Sequence, residues 1–126
     1  MKYLLDTHAL LWALYDSKKL SDDIKNELNQ PGCCVVSIAS LWEIAIKNSI
    51  GKLELKQSIN EIAKTCEKNG IAIIDISPMH CDRMRDLPQI HSDPFDRIII
   101  AQAQLNNYTI ITKDRMIPKY EVETIW

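Results

Sequence analysis

Short apolar runs, separated by segments long enough for helices, constrain the fold of this chain more than any other feature of its sequence. Such runs occupy residues 3–5, 33–36, 71–74 and 109–112. Continuous apolar runs of this length are typical of strands that are buried on both faces of a parallel sheet. Residues 122–125 predict a further, short strand at the edge of the sheet. The sequence therefore predicts a parallel β-sheet of four to five strands.

The segments between the runs carry the start and stop signals of helices. Helices are predicted over residues 7–15, 22–28, 57–68, 78–84 and 95–107, and another is expected to start at Ser37 or Ser40 and to run towards Gly51. Ser21 and Asp93 are of the residue types that cap helix N-termini. Strands that alternate with helices predict an α/β fold with helices on both faces of the sheet. A chain of 126 residues fits one such domain, residues 1–126.

The four cysteines lie outside any zinc-binding or redox pattern. Cys33 and Cys34 are adjacent, Cys66 and Cys81 stand alone, and no C-x-x-C pair occurs. We predict reduced cysteines that serve as small buried apolar residues, and hence a reducing, cytoplasmic compartment. No stretch approaches the about 18 apolar residues of a membrane span, so no membrane partner is expected. The net charge of -2 gives no basic footprint for nucleic acid.

Acidic residues follow two of the predicted strands. Asp6 comes directly after the first run, and Asp114 lies two residues past the fourth. In parallel sheets the binding crevice lies beyond the carboxyl ends of the strands, which is where both side chains are expected. Each also has an alternative explanation, since Asp6 could cap the following helix and Asp114 could be a polar turn residue.

Glu43 lies early in a predicted helix, on a stripe with Ala39, Ile46 and Ile50. The apolar neighbours on this stripe predict that Glu43 faces inward, where a buried carboxylate needs a partner. The alternative is an exposed pair with Lys47 at i,i+4 spacing, which contributes only about a few tenths of a kcal/mol.

Asp96 shares a helical face with Ile99, Ile100 and Ala103, which are expected to pack on the sheet. Its carboxylate should therefore lie between the core and the crevice. Local capping is the alternative, because Asp96 follows the Asp93 cap closely and lies at the positive end of the helix dipole. We assign function to Asp96 and capping to Asp93, with Asp93 as an additional candidate metal ligand.

These carboxylates are predicted to meet at one rim of the sheet, where they would repel one another unless a cation neutralised them. Oxygen ligands of this kind suit a hard ion such as Mg²⁺ or Mn²⁺. Such an ion can activate water and stabilise the charge that develops on a phosphodiester. We therefore predict a metal site whose ligands, and catalytic residues, are Asp6, Glu43, Asp96 and Asp114.

Basic, aromatic and histidine side chains near these acids have weaker assignments. Arg97 and Lys113 stand beside the acids, where they could contact phosphate, balance the acidic charge or simply be solvated. Trp12 and Trp42 are expected in the core or in a dimer contact rather than as base-stacking platforms. Candidate acid–base groups are the three histidines, His8, His80 and His91.

Taken in order, the motifs resemble those of the PIN-domain ribonucleases, and specifically the VapC-like toxins of bacterial type II toxin–antitoxin pairs. The resemblance covers nearly the whole chain. It rests on Leu4-Leu5-Asp6-Thr7-His8, Ser40-Leu41-Trp42-Glu43-Ile44, His91-Ser92-Asp93-Pro94-Phe95-Asp96-Arg97 with the helix residues that follow, and Thr112-Lys113-Asp114.

The resemblance implies a single PIN-like domain with a specific chemistry. In such a domain the four acids bind one or two Mg²⁺ or Mn²⁺ ions, and Thr7 and Thr112 accompany them. The implied activity is endonucleolytic cleavage of RNA, often of tRNA or other structured RNA. The implied partners are a second copy of the chain, in a homodimer, and a cognate antitoxin protein that covers or enters the site.

A receiver-like phospho-acceptor signalling domain is the alternative from another class. Receivers have a similar length and alternate strands with helices, and Asp75, after the third run, would be the acceptor. Asp6 would then bind Mg²⁺, and Lys113 would lie near the phosphoryl group. This alternative leaves Glu43 and Asp96 without a role, so the nuclease is favoured.

Overall fold

The structure, a computed structural model, describes residues 2–126. The strands are β1 (Tyr3–Leu5), β2 (Cys34–Ser37), β3 (Ala72–Ile74), β4 (Thr109–Ile111) and β5 (Thr124–Ile125). The helices are α1 (Thr7–Tyr15), α2 (Asp22–Leu28), α3 (Ile38–Ser49), α4 (Ile59–Lys68), α5 (Pro78–Asp86) and α6 (Pro94–Asn106), with short 3₁₀ helices at Ser17–Lys19 and Ile117–Lys119.

The strands form one parallel sheet in the order β3-β2-β1-β4-β5. β1 is central, and Leu4 is paired with Val35 of β2 on one side and with Ile110 of β4 on the other. The predicted α/β fold is confirmed, with five strands and with residues 124–125 at one edge. Because β1 and β4 are neighbours and parallel, the segments that follow them emerge side by side at one rim.

Alternate residues of β1 bury into two separate cores, one on each face of the sheet. Leu5 belongs to a core formed with α1, α2, α3 and α4, which includes Leu10, Ile24 and Ile62. Leu4 points to the opposite face, where it packs with residues of α6 such as Ile99. This alternation follows from the two-residue period of a strand. The prediction of helices on both faces is therefore confirmed.

Serine side chains set several of the helix starts. Ser21 caps α2 as predicted, and Ser37 rather than Ser40 caps α3, its hydroxyl accepting the Ala39 N–H. α4 begins at Ile59, later than the predicted residue 57, because Ser58 and Glu61 form a reciprocal capping box. These caps satisfy N–H groups that the first helical turn leaves without partners.

All four cysteines are free, and two of them match the predicted role. Cys34 and Cys66 are buried in the core, and burial raises the pKa of the Cys34 thiol to about 11, which keeps it protonated. The prediction is wrong for Cys81, which lies on the solvent side of α5 and is exposed. Over residues 2–126, every helix is too short or too polar to cross a bilayer.

Candidate active site

Asp6 emerges from the carboxyl end of β1 and is almost fully buried, with 5% of its surface exposed. Its two carboxylate oxygens have different partners. Oδ1 accepts the backbone N–H of Ala9 at 2.8 Å and so caps α1, whereas Oδ2 accepts the hydroxyl of Thr112 at 2.5 Å. Burial raises the pKa of Asp6, and these two hydrogen bonds oppose the rise. The capping explanation is therefore correct, yet it accounts for only one of the two oxygens.

Glu43 projects inward from the second turn of α3, as predicted, and is 5% exposed. Its Oε1 accepts the hydroxyl of Thr7 at 2.6 Å, and its Oε2 lies 2.7 Å from Nζ of Lys47. The predicted alternative, a pair with Lys47, thus exists, but its carboxylate is buried. Ala39 of the predicted stripe is also buried, but the prediction is wrong for Ile46 and for Ile50, the residue that follows α3, since both are exposed.

Asp96 stands in the first turn of α6, above the buried side chains of Ile99 and Ile100. Asp93 caps this helix, as predicted, with Oδ1 accepting the N–H groups of Phe95 and Asp96 at 2.8 and 3.1 Å. The pKa of Asp96 is raised to about 7, chiefly by burial and further by the negative charges of Asp93, Asp114 and Asp6. A cation bound nearby would stabilise the charged form of such an acid and lower its pKa.

Asp114 follows β4 and serves two purposes at once. Its Oδ1 accepts the N–H groups of Met116 and Ile117 at 2.7 and 3.2 Å, which is the turn role considered from the sequence. Its other oxygen, Oδ2, lies 3.4 Å from Nε2 of His91. The second oxygen is therefore directed at the same rim of the sheet as Asp6 and Asp96.

The four acids line one pocket of about 350 Å³ at the carboxyl ends of β1 and β4. The other side chains around it are Thr7, His8, Trp12, Lys47, His91, Asp93 and Lys113. The sequence thus placed the carboxylates at one rim, and the structure has them there. Their catalytic and metal-binding roles remain a prediction.

Two threonines orient two of the acids through hydrogen bonds. Thr7 donates to Glu43 and lies 3.1 Å from the hydroxyl of Ser40, while Thr112 donates to Asp6 and accepts the N–H of Asp114 at 2.9 Å. Both threonines are buried. They hold carboxylates in fixed orientations.

Arg97 does not reach this pocket, so the predicted contact with phosphate lacks support from its position. The side chain is 6% exposed, and its guanidinium donates to the carbonyls of Pro88, Met84 and Leu87 at 2.9, 2.9 and 3.4 Å. It also donates to the hydroxyl of Tyr120. Arg97 therefore fastens the segment between α5 and α6, whereas Lys113 does lie at the pocket.

The sequence that forms this sheet and this pocket matches a known family. The family model of the PIN domain aligns with residues 3–123, almost the full length of the chain. The chain belongs to the PIN domain family. The resemblance that the sequence motifs indicated is thereby confirmed.

Solved structures with this PIN fold include toxin–antitoxin complexes from several bacteria. VapBC2 from Rickettsia felis, bound to a DNA fragment from its promoter, superposes with a TM-score of 0.71 at 16% identity, covering 99% of this chain and 98% of that one. DNA-bound VapBC from Salmonella typhimurium superposes with a TM-score of 0.69 at 15% identity, covering 99% of this chain and 97% of that one. VapBC-1 from nontypeable Haemophilus influenzae gives 0.69 at 21% identity, also with 99% and 97% covered. At these identities the likeness shows the fold. No curated protein sequence matches the chain significantly.

Of the three candidate histidines of this PIN domain, His91 is the one that lies between two of the acids. Its Nε2 lies 2.9 Å from Oδ2 of Asp96 and 3.4 Å from Oδ2 of Asp114, and the three residues are close enough to surround one cation. Of the other histidines, His8 lies exposed at the pocket and His80 is buried in the capping box of α5. The sequence named His91 as an acid–base candidate but gave no means to rank it above His8 and His80.

The donor set of the pocket fits a hard divalent cation. Asp6, Asp96 and Asp114 line the same pocket, and the pKa of Asp96 is raised first by burial and then by the negative charges around it. Carboxylate oxygens are the ligands that Mg²⁺ and Mn²⁺ prefer. Glu43 is already paired with Lys47, so this carboxylate is partly neutralised within the protein.

A larger groove of about 760 Å³ opens from the acidic pocket and shares Thr7, His8, Trp12 and Lys47 with it. The groove runs between α1 and the segment that follows α3. It is lined by apolar side chains such as Leu11 and also by lysines, Lys47, Lys52 and Lys56.

The receiver alternative has no support in the topology of this PIN domain. Asp75 follows β3, which is the edge strand, and β2 separates it from β1 and Asp6. Two strand spacings amount to about 10 Å. Asp75 is exposed and does not line the acidic pocket.

Proposed function

We propose that this PIN domain is a metal-dependent endoribonuclease and the toxin of a toxin–antitoxin pair. The observation that carries the proposal is the convergence of Asp6, Glu43, Asp96 and Asp114 on one pocket at the carboxyl ends of adjacent parallel strands. A buried group of acids costs folding free energy unless a cation neutralises it, since burial and mutual repulsion both disfavour the charged forms. The arrangement therefore supports catalysis better than stability.

The cofactor proposed is Mg²⁺ or Mn²⁺, held by Asp6, Asp96 and Asp114 with Glu43 at the side of the pocket. When bound, such an ion activates water and stabilises the charge that develops on a phosphodiester. Asp93 caps the helix through Oδ1. Its other carboxylate oxygen makes Asp93 an additional ligand candidate.

The protein's own residues hold the acids in their working orientation. Thr112 and the Ala9 N–H fix the two oxygens of Asp6, and Thr7 and Lys47 fix those of Glu43. Carboxylates that are held by such contacts need not reorganise when charge appears on the substrate. This prior orientation is the contribution that the fold makes to catalysis.

RNA is the substrate class that the groove beside the pocket favours. Lys52 and Lys56 place positive charge along a channel that leads to the acids and that Asp16 and Glu54 also line, and Trp12 lies where the groove and the pocket meet. Single-stranded nucleic acid binds to surfaces that combine cationic grooves with aromatic platforms. The same groove is accessible to a cognate antitoxin, which would block the substrate by covering it.

A homodimer is proposed through the outer face of α3. Ile38, Trp42 and Ile46 of this helix and Ile50 directly after it recur every four residues and are 39%, 58%, 38% and 59% exposed. Large apolar side chains in such a row mark an interaction surface more often than a solvated one. A cytoplasmic location is proposed with the toxin role.

The test is cleavage of total cellular RNA by the purified chain with Mg²⁺ or Mn²⁺, with mapping of the product ends. Asp6→Asn and Asp96→Asn should abolish cleavage, because an amide cannot supply the same negative charge to the cation. Asp75→Asn, which changes an exposed acid outside the pocket, is the matched control and should cleave normally. Cleavage that persists in EDTA or in Asp6→Asn would refute the proposal.

A further inference from the structure

His8 lies at the junction of the acidic pocket and the larger groove, and its side chain lines both. It stands in the first turn of α1, two residues after Asp6, whose carboxylate caps that helix. The imidazole is exposed to solvent, and no hydrogen bond or ion pair within residues 2–126 engages it. A ligand that extends from the acidic pocket into the groove therefore meets this ring.

The ring of His8 is supported from within the protein by Trp12. The two ring centroids are 5.9 Å apart, and the ring planes are inclined by 39°. Trp12 comes one helical turn after His8, which places both side chains on the same face of α1. Aromatic pairs at this separation attract one another, so the contact restricts the position of the imidazole. His8 thus packs against Trp12 on its inner side and is exposed towards the two cavities.

Trp12 is itself held in place by further contacts. The ring of Trp126, which follows β5, packs edge-on against it with the centroids 5.3 Å apart. Nζ of Lys19 lies 5.6 Å from the Trp12 centroid, within the range of a cation–π contact. Trp12 also packs on the core beneath α1 and is half-buried. Trp12 therefore serves as a fixed support, and His8 is the ring of this cluster that is presented to a ligand.

The other exposed aromatic rings among residues 2–126 are less suited to meet a ligand of the acidic pocket. Tyr15 lines the groove but not the pocket, and its hydroxyl donates to Gln57 in the segment that follows α3. Trp42 packs edge-on against Phe95 and lines neither cavity. His8 is the exposed ring that borders the acids.

We propose that His8 binds RNA by stacking its ring against the base of the nucleotide next to the phosphate that lies among the acids. This inference rests on the proposed nuclease function and deepens it. Imidazole rings are among the aromatic platforms on which splayed RNA bases stack. The contact requires a base with a free face, so the RNA must be unpaired and unstacked beside the cleaved bond. The role needs neither a proton transfer nor a particular charge on His8.

The lining of the adjoining groove favours contacts with bases over contacts with phosphates alone. Its apolar wall includes Leu11, Leu53 and Leu55. Its exposed charges are nearly balanced, since two acids accompany the lysines that extend away from the pocket, and these four residues are Asp16, Glu54, Lys52 and Lys56. Phosphate attraction grows with the number of unpaired basic residues, so it is modest here. Stacking with bases must therefore supply part of the affinity.

The test is binding of single-stranded RNA by His8→Ala and His8→Phe, measured by fluorescence anisotropy with Ca²⁺ in place of Mg²⁺. The probes are a labelled oligoadenylate and an abasic strand of the same length. His8→Ala should bind oligoadenylate about 5- to 100-fold more weakly than the wild type, the usual loss when a stacking ring is removed. His8→Phe should recover most of this loss, because the phenyl ring keeps a flat face but has no proton to exchange. Both variants change an exposed side chain, and thermal unfolding verifies that they fold.

The abasic strand distinguishes stacking from contacts with the RNA backbone. The wild type and His8→Ala should bind this strand with the same affinity, since it offers no base to stack. Equal affinities of these two proteins for oligoadenylate would overturn the inference, as would a His8→Phe variant that binds as weakly as His8→Ala.

The wild type alone provides one more comparison. If it cleaves cellular RNA but binds oligoadenylate no better than the abasic strand, the stacking role is overturned, because aromatic stacking accepts any base. A wild type that neither binds nor cleaves RNA would instead refute the nuclease function itself.

Discussion

The hydroxyl of Thr112 donates a 2.5 Å hydrogen bond to Oδ2 of Asp6, which joins the ends of β4 and β1 across 106 residues of sequence. The same hydroxyl accepts the backbone N–H of Asp114 at 2.9 Å. One buried threonine thus links two of the four acids. The relative position of these acids depends on it directly.

Thr112→Val should weaken Mn²⁺ binding by about 10- to 100-fold, the usual effect of losing a residue that orients metal ligands. The valine has nearly the same shape but cannot donate to Asp6, so the pKa of Asp6 should rise further above its ordinary value. Thr112→Ser keeps the hydroxyl and should bind almost as the wild type does. Isothermal titration calorimetry gives the affinities, and equal values for the valine and serine variants would contradict the prediction.

Asp96 makes the stability of the metal-free protein depend on pH. Its pKa is about 7 in the folded protein against an ordinary value of 3.8, so the folded state binds this proton more tightly than the unfolded state does. A group of this kind contributes stability that is fully present below about pH 4 and is lost as the pH rises towards about 7. Metal-free wild type should therefore lose stability over this interval.

The variant Asp96→Asn removes this titrating group and, with it, one negative charge beside Asp6 and Asp114. Its free energy of unfolding, measured with urea in the presence of EDTA, should increase relative to that of the wild type as the pH rises from about 5 to about 8. Saturating Mn²⁺ should reverse the order, since it favours the ionised carboxylate. A difference that does not change with pH would show that Asp96 titrates normally.

The strands and the acids at their ends could be predicted because both depend on local sequence and on one general rule. Continuous apolar runs identify buried strands, and parallel strands direct their carboxyl ends to one rim. Asp6 and Asp114 therefore had to lie near each other once β1 and β4 were neighbours. The sequence could not say that Asp6 and Asp114 would each use one oxygen for a cap or turn, nor that the other oxygen of Asp6 would accept the Thr112 hydroxyl.

The predictions that failed did so because they used adjacency in sequence in place of position in space. Arg97 follows Asp96, but one residue turns an α-helix by about 100°, and this rotation carries Arg97 into the core. The periodicity of α3 predicts on which face of the helix Ile46 lies. It does not predict how far along the helix the neighbouring elements cover that face. His91 is held by Tyr120, 29 residues later, and no local pattern reports that contact.

Arg97→Lys should lower the free energy of unfolding by about 2–4 kcal/mol. The lysine keeps the charge but cannot reach several carbonyl groups at once, so buried acceptors lose their partners. Urea denaturation measures the loss. Arg115→Lys is the matched control, because Arg115 is exposed, and its effect should be within about 0.5 kcal/mol. A stable Arg97→Lys with weakened RNA binding would instead restore the phosphate role that the sequence suggested.

Trp42 is the residue whose change should disrupt the proposed homodimer. Its ring is 58% exposed and lies edge-on against Phe95 at 5.2 Å between centroids, so the side chain is held outward in a fixed position. Rigid, exposed aromatic rings are frequent anchors of protein interfaces. Trp42→Glu should leave the fold intact, because the position is exposed, but should place a charge in the centre of the apolar row on α3.

Light scattering coupled to size-exclusion chromatography measures the outcome. The wild type should elute with about twice the mass of one chain, 14.5 kDa, and Trp42→Glu with the mass of one. Asn60→Glu introduces the same charge at an exposed position of α4 and should remain dimeric. A wild type that is monomeric at all concentrations, or a Trp42→Glu variant that stays dimeric, would exclude this face as the interface. Since the acidic pocket of each copy is complete within one chain, monomeric Trp42→Glu should retain metal binding.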